Sequence, residues 1–184
     1  VSRRVERFAG PLSADTIVRA LLAMHALPEL HAAVAAPGVQ SLILGLARRI
    51  AASTATELTG AQIALICEAF GSLPDGPTTQ TLARSVGGLI ERSRHVTLTR
   101  DDILVACGGL RPIGSSGEPL ALALAPILFN LHDVRLDERS LSRALGCLKG
   151  LHRSTGAREL TNALRRLASV GPWSPDRSRA ARPA

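Results

Sequence analysis

The sequence predicts an all-α protein, an α-solenoid of about four tandem antiparallel helical hairpins wound into a right-handed superhelix. Three observations predict it. An apolar ladder starts at Leu12, Leu58, Leu98 and Leu136, and each copy places apolar or small residues five, eight, nine, twelve and fifteen positions further on. Steps of three and four residues fall on one face of a helix, so each ladder is one buried stripe. The starts lie 46, 40 and 38 residues apart, the period of two-helix repeats. Each ladder also begins at a helix start signal and ends at a proline or glycine.

The elements follow in order. Residues 1–11 are expected to be an N-terminal extension, and residues 12–170 a repeat domain divided at about 12–57, 58–97, 98–135 and 136–170. The first helix of each repeat carries the ladder: Leu12, Ile17, Ala20, Leu21, Met24, Leu27; Leu58, Ile63, Ile66, Cys67, Phe70, Leu73; Leu98, Ile103, Ala106, Cys107, Leu110, Ile113; Leu136, Leu141, Ala144, Leu145, Leu148, Leu151. Ser13, Thr59, Thr99 and Asp137 follow the first ladder residue, and their side-chain oxygens suit the free N–H groups of a helix start. Pro28, Pro74, Pro112 and Gly150 are the expected breakers.

Second helices are expected at about 37–52, 78–92, 118–132 and 156–169. Their stripes are Leu42, Leu46 and Ile50; Leu82, Val86, Leu89 and Ile90; Leu120, Leu124, Ile127, Leu128 and Leu131; and Leu160, Leu164 and Leu167. Pro119 fits a first helical turn, where a missing N–H costs nothing. Pro126, mid-helix, should kink or split its helix at a cost of about 3 kcal/mol. The first repeat is lengthened by an Ala-rich insertion from His31 to Ala36. After Gly171 the apolar period is lost, and residues 171–184 read as a flexible basic tail.

Composition narrows the functional classes. Hydrophobic residues make up 46% of 184, with no Tyr, one Trp and three Phe, so small aliphatic side chains fill the core. No apolar run reaches the roughly 18 residues a membrane span requires. The net charge of +7 is carried by Arg, with a single Lys, Lys149. Residues 136–171 contribute +4 of it and residues 172–184 another +2. The Arg excess fits either a coding bias or selection for the planar, bidentate grip of guanidinium on phosphate. Cys67, Cys107 and Cys147 cannot all pair and form no Cys-x-x-Cys motif. Cys67 and Cys107 sit on the ladder, which points to core packing and to a reducing intracellular compartment, organelle matrix or cytoplasm.

Catalytic signatures are lacking. His25, His31, His95, His132 and His152 have no metal-ligand spacing, and no local Ser-His-Asp arrangement is present. Gly114-Ser-Ser-Gly117 is a short loop with no Lys-Ser/Thr after it, hence not a phosphate loop. No enzyme activity, cofactor or metal is expected. Stacked repeats expose long ridged surfaces that suit extended partners better than enclosed pockets.

The segments LTGAQIALICEAFGSL (58–73), LTRDDILVACGGLRPI (98–113) and LDERSLSRALGCLKGL (136–151) carry a Leu-[Ser/Thr/Asp] start and the same ladder. This pattern resembles the octotricopeptide repeat family and its heptatricopeptide relatives, over about residues 12–170. The resemblance implies an RNA-binding α-solenoid acting in RNA processing, stability, translation or a ribonucleoprotein assembly. Such repeats often carry Asn seven residues into the motif and Trp at ten; here those positions hold Arg19, Leu65, Val105 and Arg143, and Leu22, Glu68, Gly108 and Gly146. HEAT-like arrays and pathogen-effector repeats share the ladder, so a protein-binding scaffold with no nucleic-acid ligand is the alternative.

Partner-facing residues in such arrays lie on the first helices, off the stripe. For single-stranded RNA, Arg19, Arg100, Arg139 and Arg143 are placed to contact phosphates or stack on bases, and Gln62 and Asp102 to bond base edges. Arg165 and Arg166, on the last helix, extend that basic set. The near absence of aromatic stacking platforms weighs against RNA. Leu65 and Val105 interrupt the polar face, and are either buried between neighbours or an apolar patch for a protein.

Overall fold

The computed structural model describes residues 12–27, 36–53, 57–93, 95–151 and 154–169. The expected extension 1–11, the breaker Pro28, the insertion at His31, His152 and the tail 171–184 lie outside them.

Eight α-helices and no strand occur among the described residues: α1 (Ala14–His25), α2 (Pro37–Ala51), α3 (Gly60–Phe70), α4 (Pro77–Arg92), α5 (Arg100–Leu110), α6 (Glu118–Asn130), α7 (Glu138–Cys147) and α8 (Thr155–Ser169). The protein is all-α. Two 3-10 turns, Gly114–Gly117 and Leu148–Leu151, lie between α5 and α6 and between α7 and α8. None of these helices is long and apolar enough to cross a membrane.

The helix starts form as the sequence dictates. Ser13, Thr59, Thr99 and Asp137 are the N-caps of α1, α3, α5 and α7, each accepting from the backbone N–H three residues on. Thr59 with Gln62 and Thr99 with Asp102 complete reciprocal capping boxes, so two otherwise orphaned donors are satisfied at each end. Pro37, Pro77 and Pro119 occupy the first turns of α2, α4 and α6.

Packing joins odd helices to odd and even to even. The closest backbone approaches run from α1 to α3 to α5 to α7 and from α2 to α4 to α6 to α8. Every ladder residue of the second and third repeats is buried. In three of the four repeats the start of the first helix is also tied to the end of the second. Ser53 Oγ donates to the Leu12 carbonyl (3.2 Å), Leu58 N–H donates to Ser93 Oγ (3.0 Å), and Leu136 N–H donates to the Leu167 carbonyl (3.3 Å).

Small residues set how closely neighbouring repeats approach. A Cβ on Gly109 of α5 would lie 1.9 Å from the Cys67 carbonyl oxygen of α3, and one on Gly60 would lie 2.0 Å from the Thr97 carbonyl oxygen. Gly87 faces the Pro119 carbonyl and Gly156 the Glu118 carbonyl, at 3.0 and 2.8 Å on the same construction. Close backbone approach leaves no room for side chains at these sites.

Several expectations need correction. In α2 the buried residues are Ile43, Ala47 and Ile50, while Leu42 and Leu46 are only half-buried. The stripe is therefore turned by one residue. Leu27 is 46% exposed, and Leu141, Leu145, Ile127 and Leu131 are half-buried. Pro126 does not split its helix: α6 runs unbroken from Glu118 to Asn130, with Pro126 on its exposed side. There the ring meets solvent rather than a packed neighbour. Gly150 is not the end of α7, which stops at Cys147; it lies in the following 3-10 turn, where a Cβ would stand 2.6 Å from the Arg111 carbonyl oxygen.

Candidate functional site

Residues three, seven and ten positions past each ladder leucine share a helix face, because these steps are one and two turns apart. On α1 they are Asp15, Arg19 and Leu22; on α3, Ala61, Leu65 and Glu68; on α5, Asp101, Val105 and Gly108; on α7, Arg139, Arg143 and Gly146. All are exposed except Leu22 and Gly146, which are half-buried. The four odd helices therefore present one continuous surface. An open groove of about 500 Å³ runs over it, touching His25 of α1, Glu68 of α3, Asp101 and Val105 of α5 and Arg143 of α7.

The seventh positions form a row: Arg19, Leu65, Val105, Arg143. Leu65 is 37% and Val105 38% exposed, so these two aliphatics are not buried between neighbouring repeats. Arg19 and Arg143 are exposed and form no ion pair among the described residues.

Other candidates are held by the protein itself. Gln62 Oε1 accepts from Thr59 N–H (2.9 Å) and its Nε2 donates to Asp15 Oδ1 of α1 (2.7 Å). Asp102 Oδ2 accepts from Thr99 N–H (2.9 Å) and Thr99 Oγ1 (2.8 Å). These bonds take up the Gln62 amide oxygen and one carboxylate oxygen of Asp102, which leaves each with only part of its capacity for a base edge. Arg100 bridges Asp137 Oδ2 at 3.3 Å and lies 3.8 Å from Asp101. The Ser140 backbone and hydroxyl groups, with Arg100 and Arg139 nearby, hold the Asp137 carboxyl below its ordinary range. Arg139 is exposed beside it. On α8, Arg165 is exposed, while the Arg166 guanidinium stacks 4.2 Å over the Phe129 ring of α6.

Charge is unevenly shared between the two sets of helices. The odd helices carry Arg19, Arg100, Arg139 and Arg143 against Asp15, Glu68, Asp101, Asp102 and Glu138. The even helices carry Arg48, Arg49, Arg84, Arg92, Arg158, Arg165 and Arg166 against Glu91, Glu118 and Glu159. The odd helices as a set are thus slightly acidic, and the cationic excess lies on the even set.

One constellation escaped the sequence reading. Asp75, after α3, grips the 3-10 turn of the next repeat: its Oδ1 accepts from Ser116 N–H (3.0 Å) and Ser116 Oγ (2.5 Å), and Ser115 Oγ donates to the same carboxylate (3.2 Å). These bonds, the Ser116 hydroxyl first, lower the Asp75 pKa. Gly114 permits the turn, with φ of +54° and no room for a Cβ beside Asp75. The signal was available, since Asp75 and Ser115 lie 17 residues past Leu58 and Leu98 and are therefore stacking neighbours. Gly114 to Gly117 is a structural clasp.

Two thiols, Cys67 and Cys107, are removed from solution chemistry by burial. Burial pushes Cys67 up to about 12, and Cys107 is pushed up as well, by burial first and then by Cys147 and Cys67. Neither offers a thiolate as nucleophile or metal ligand at neutral pH.

No protein-family model, curated protein or solved structure matches the chain. The surface itself carries the functional argument.

Proposed function

We propose that this chain is a non-catalytic binding module, an α-solenoid of four hairpins with the odd helices as one layer and the even helices as the other, and that its odd-helix face holds a protein partner. The carrying observation is the exposure of Leu65 and Val105 at the centre of that face, next to Glu68 and Asp101. A nucleic-acid backbone crossing the centre would meet two carboxylates and two aliphatic side chains where it needs cations. An apolar centre with a polar rim is instead the arrangement of protein interfaces.

RNA binding is the second reading. The ladder's resemblance to octotricopeptide repeats supports it, and so does the seven-to-three cationic excess on the even helices, which suits a polyanion better than the groove does.

Capture experiments separate the two. Immobilised protein should retain a partner from lysate after ribonuclease treatment, and Leu65→Arg or Val105→Arg should lose it without lowering the melting temperature, since both positions are exposed. Loss of all captured protein on ribonuclease treatment, with Leu65→Arg indistinguishable from wild type, would remove the protein-binding reading.

A further inference from the structure

Resting on the protein-binding reading, the row Arg19, Leu65, Val105, Arg143 goes further and defines the chemistry of the bound segment. One residue from each odd helix contributes, in the order the helices stack, so the row crosses the array rather than following any one helix. Its ends are guanidiniums that form no ion pair among the described residues, and its middle is aliphatic. Glu68 lies one turn from Leu65 on α3 and Asp101 one turn from Val105 on α5, and both carboxylates line the groove with Val105 and Arg143. A negative charge is favoured at the α7 end, where Arg139 stands one turn from Arg143, and is met by Arg19 at the α1 end, where Asp15 stands one turn away; it is opposed at the centre, where Glu68 and Asp101 have no cation at the seventh positions beside them.

Length follows from helix spacing. Packed helices lie about 8–10 Å apart, so α1 to α7 spans about 24–30 Å. An extended chain advances about 3.3 Å per residue and covers that distance in about eight or nine residues. We infer that the odd-helix face takes an extended protein segment of about eight residues, with an acidic side chain at each end for Arg19 and Arg143 and apolar side chains between them for Leu65 and Val105. A uniformly anionic strand does not meet this pattern, and neither does a basic-ended peptide.

Two fluorescein-labelled synthetic peptides of about ten residues and identical composition test the inference. One has Glu near both ends and Leu and Val at the centre; the other has the Glu pair at the centre and Leu and Val at the ends. By fluorescence anisotropy the first should bind roughly tenfold more tightly than the second, or better. Arg19→Glu with Arg143→Glu should abolish that preference while leaving the melting curve unchanged, because both side chains are exposed. A third peptide with Arg in place of the terminal Glu should bind the double variant better than the wild type.

Equal binding of the two permuted peptides, binding of neither to the wild type, or a preference that survives in the double variant would each overturn the inference. Displacement of the first peptide by a stoichiometric amount of single-stranded RNA at physiological salt would overturn it too. If the peptides fail while ribonuclease-resistant capture is still lost in Leu65→Arg, the protein-binding reading stands and only the charge pattern falls.

Discussion

Gly109→Ala should cost about 3 kcal/mol or more and lower the melting temperature by about 10 °C, whereas Gly108→Ala, one residue earlier, should stabilise the protein by about 0.5–1 kcal/mol. Both glycines lie in α5. The Cβ added at position 109 would meet the Cys67 carbonyl carbon at 2.3 Å and the Glu68 nitrogen at 2.7 Å, both backbone atoms of α3. No rotamer relieves such a clash, so α3 and α5 must separate and every contact between them is disturbed. At Gly108 nothing lies within 4 Å, and alanine simply removes the entropic cost of a mid-helix glycine. Thermal denaturation followed by circular dichroism reads both. Two equal shifts would show that α3 and α5 do not approach in this register.

Ile103→Asp should be the most damaging single polar substitution on α5. Ile103 is 1% exposed inside the core shared by α3, α5 and α7, and a carboxylate there has no cationic or hydrogen-bonding partner to offset its desolvation. Several kcal/mol are lost, enough to abolish cooperative unfolding in a protein of ordinary marginal stability. Val105→Asp, two residues on, is the matched control: Val105 is exposed, and the change should stay within about 0.5 kcal/mol. An unchanged melting temperature for Ile103→Asp would place that residue outside the core.

The contrast between Ile103 and Val105 shows how much of the fold was legible in the sequence. Ladder spacing marked Ile103 as buried but left Val105 open between burial and exposure, while the cap residues Ser13, Thr59, Thr99 and Asp137 located four helix starts, because the ladder and the caps depend on local geometry alone. The α2 stripe was misread for a local reason as well. Leu42, Ile43, Leu44 and Leu46 form a nearly continuous apolar run, so period alone does not say which of them faces inward. Pro126 was expected to break α6, since sequence reveals the lost hydrogen bond but not that the ring points to solvent.

Parts of the candidate site depended on contacts between repeats. Gln62 and Asp102 have the right chemistry for base edges, yet each closes a capping box, and Gln62 also reaches across to Asp15. Their engagement follows from a Thr three residues before them, a signal present in the sequence but overlooked there. The segregation of cations onto the even helices became visible only when the helices were sorted by which neighbour they pack against. Net charge alone left a coding bias and phosphate binding both open, and its distribution moves the emphasis to a protein partner on the opposite set.

The most direct test is the affinity of the wild-type protein for labelled single-stranded RNA at two salt concentrations, beside the Arg139→Glu/Arg143→Glu variant. The protein-binding account predicts weak binding that is the same for both proteins at physiological salt. Tight binding by the wild type, falling with salt at a slope of about 0.7 per phosphate contact, would contradict it whether or not the variant loses it.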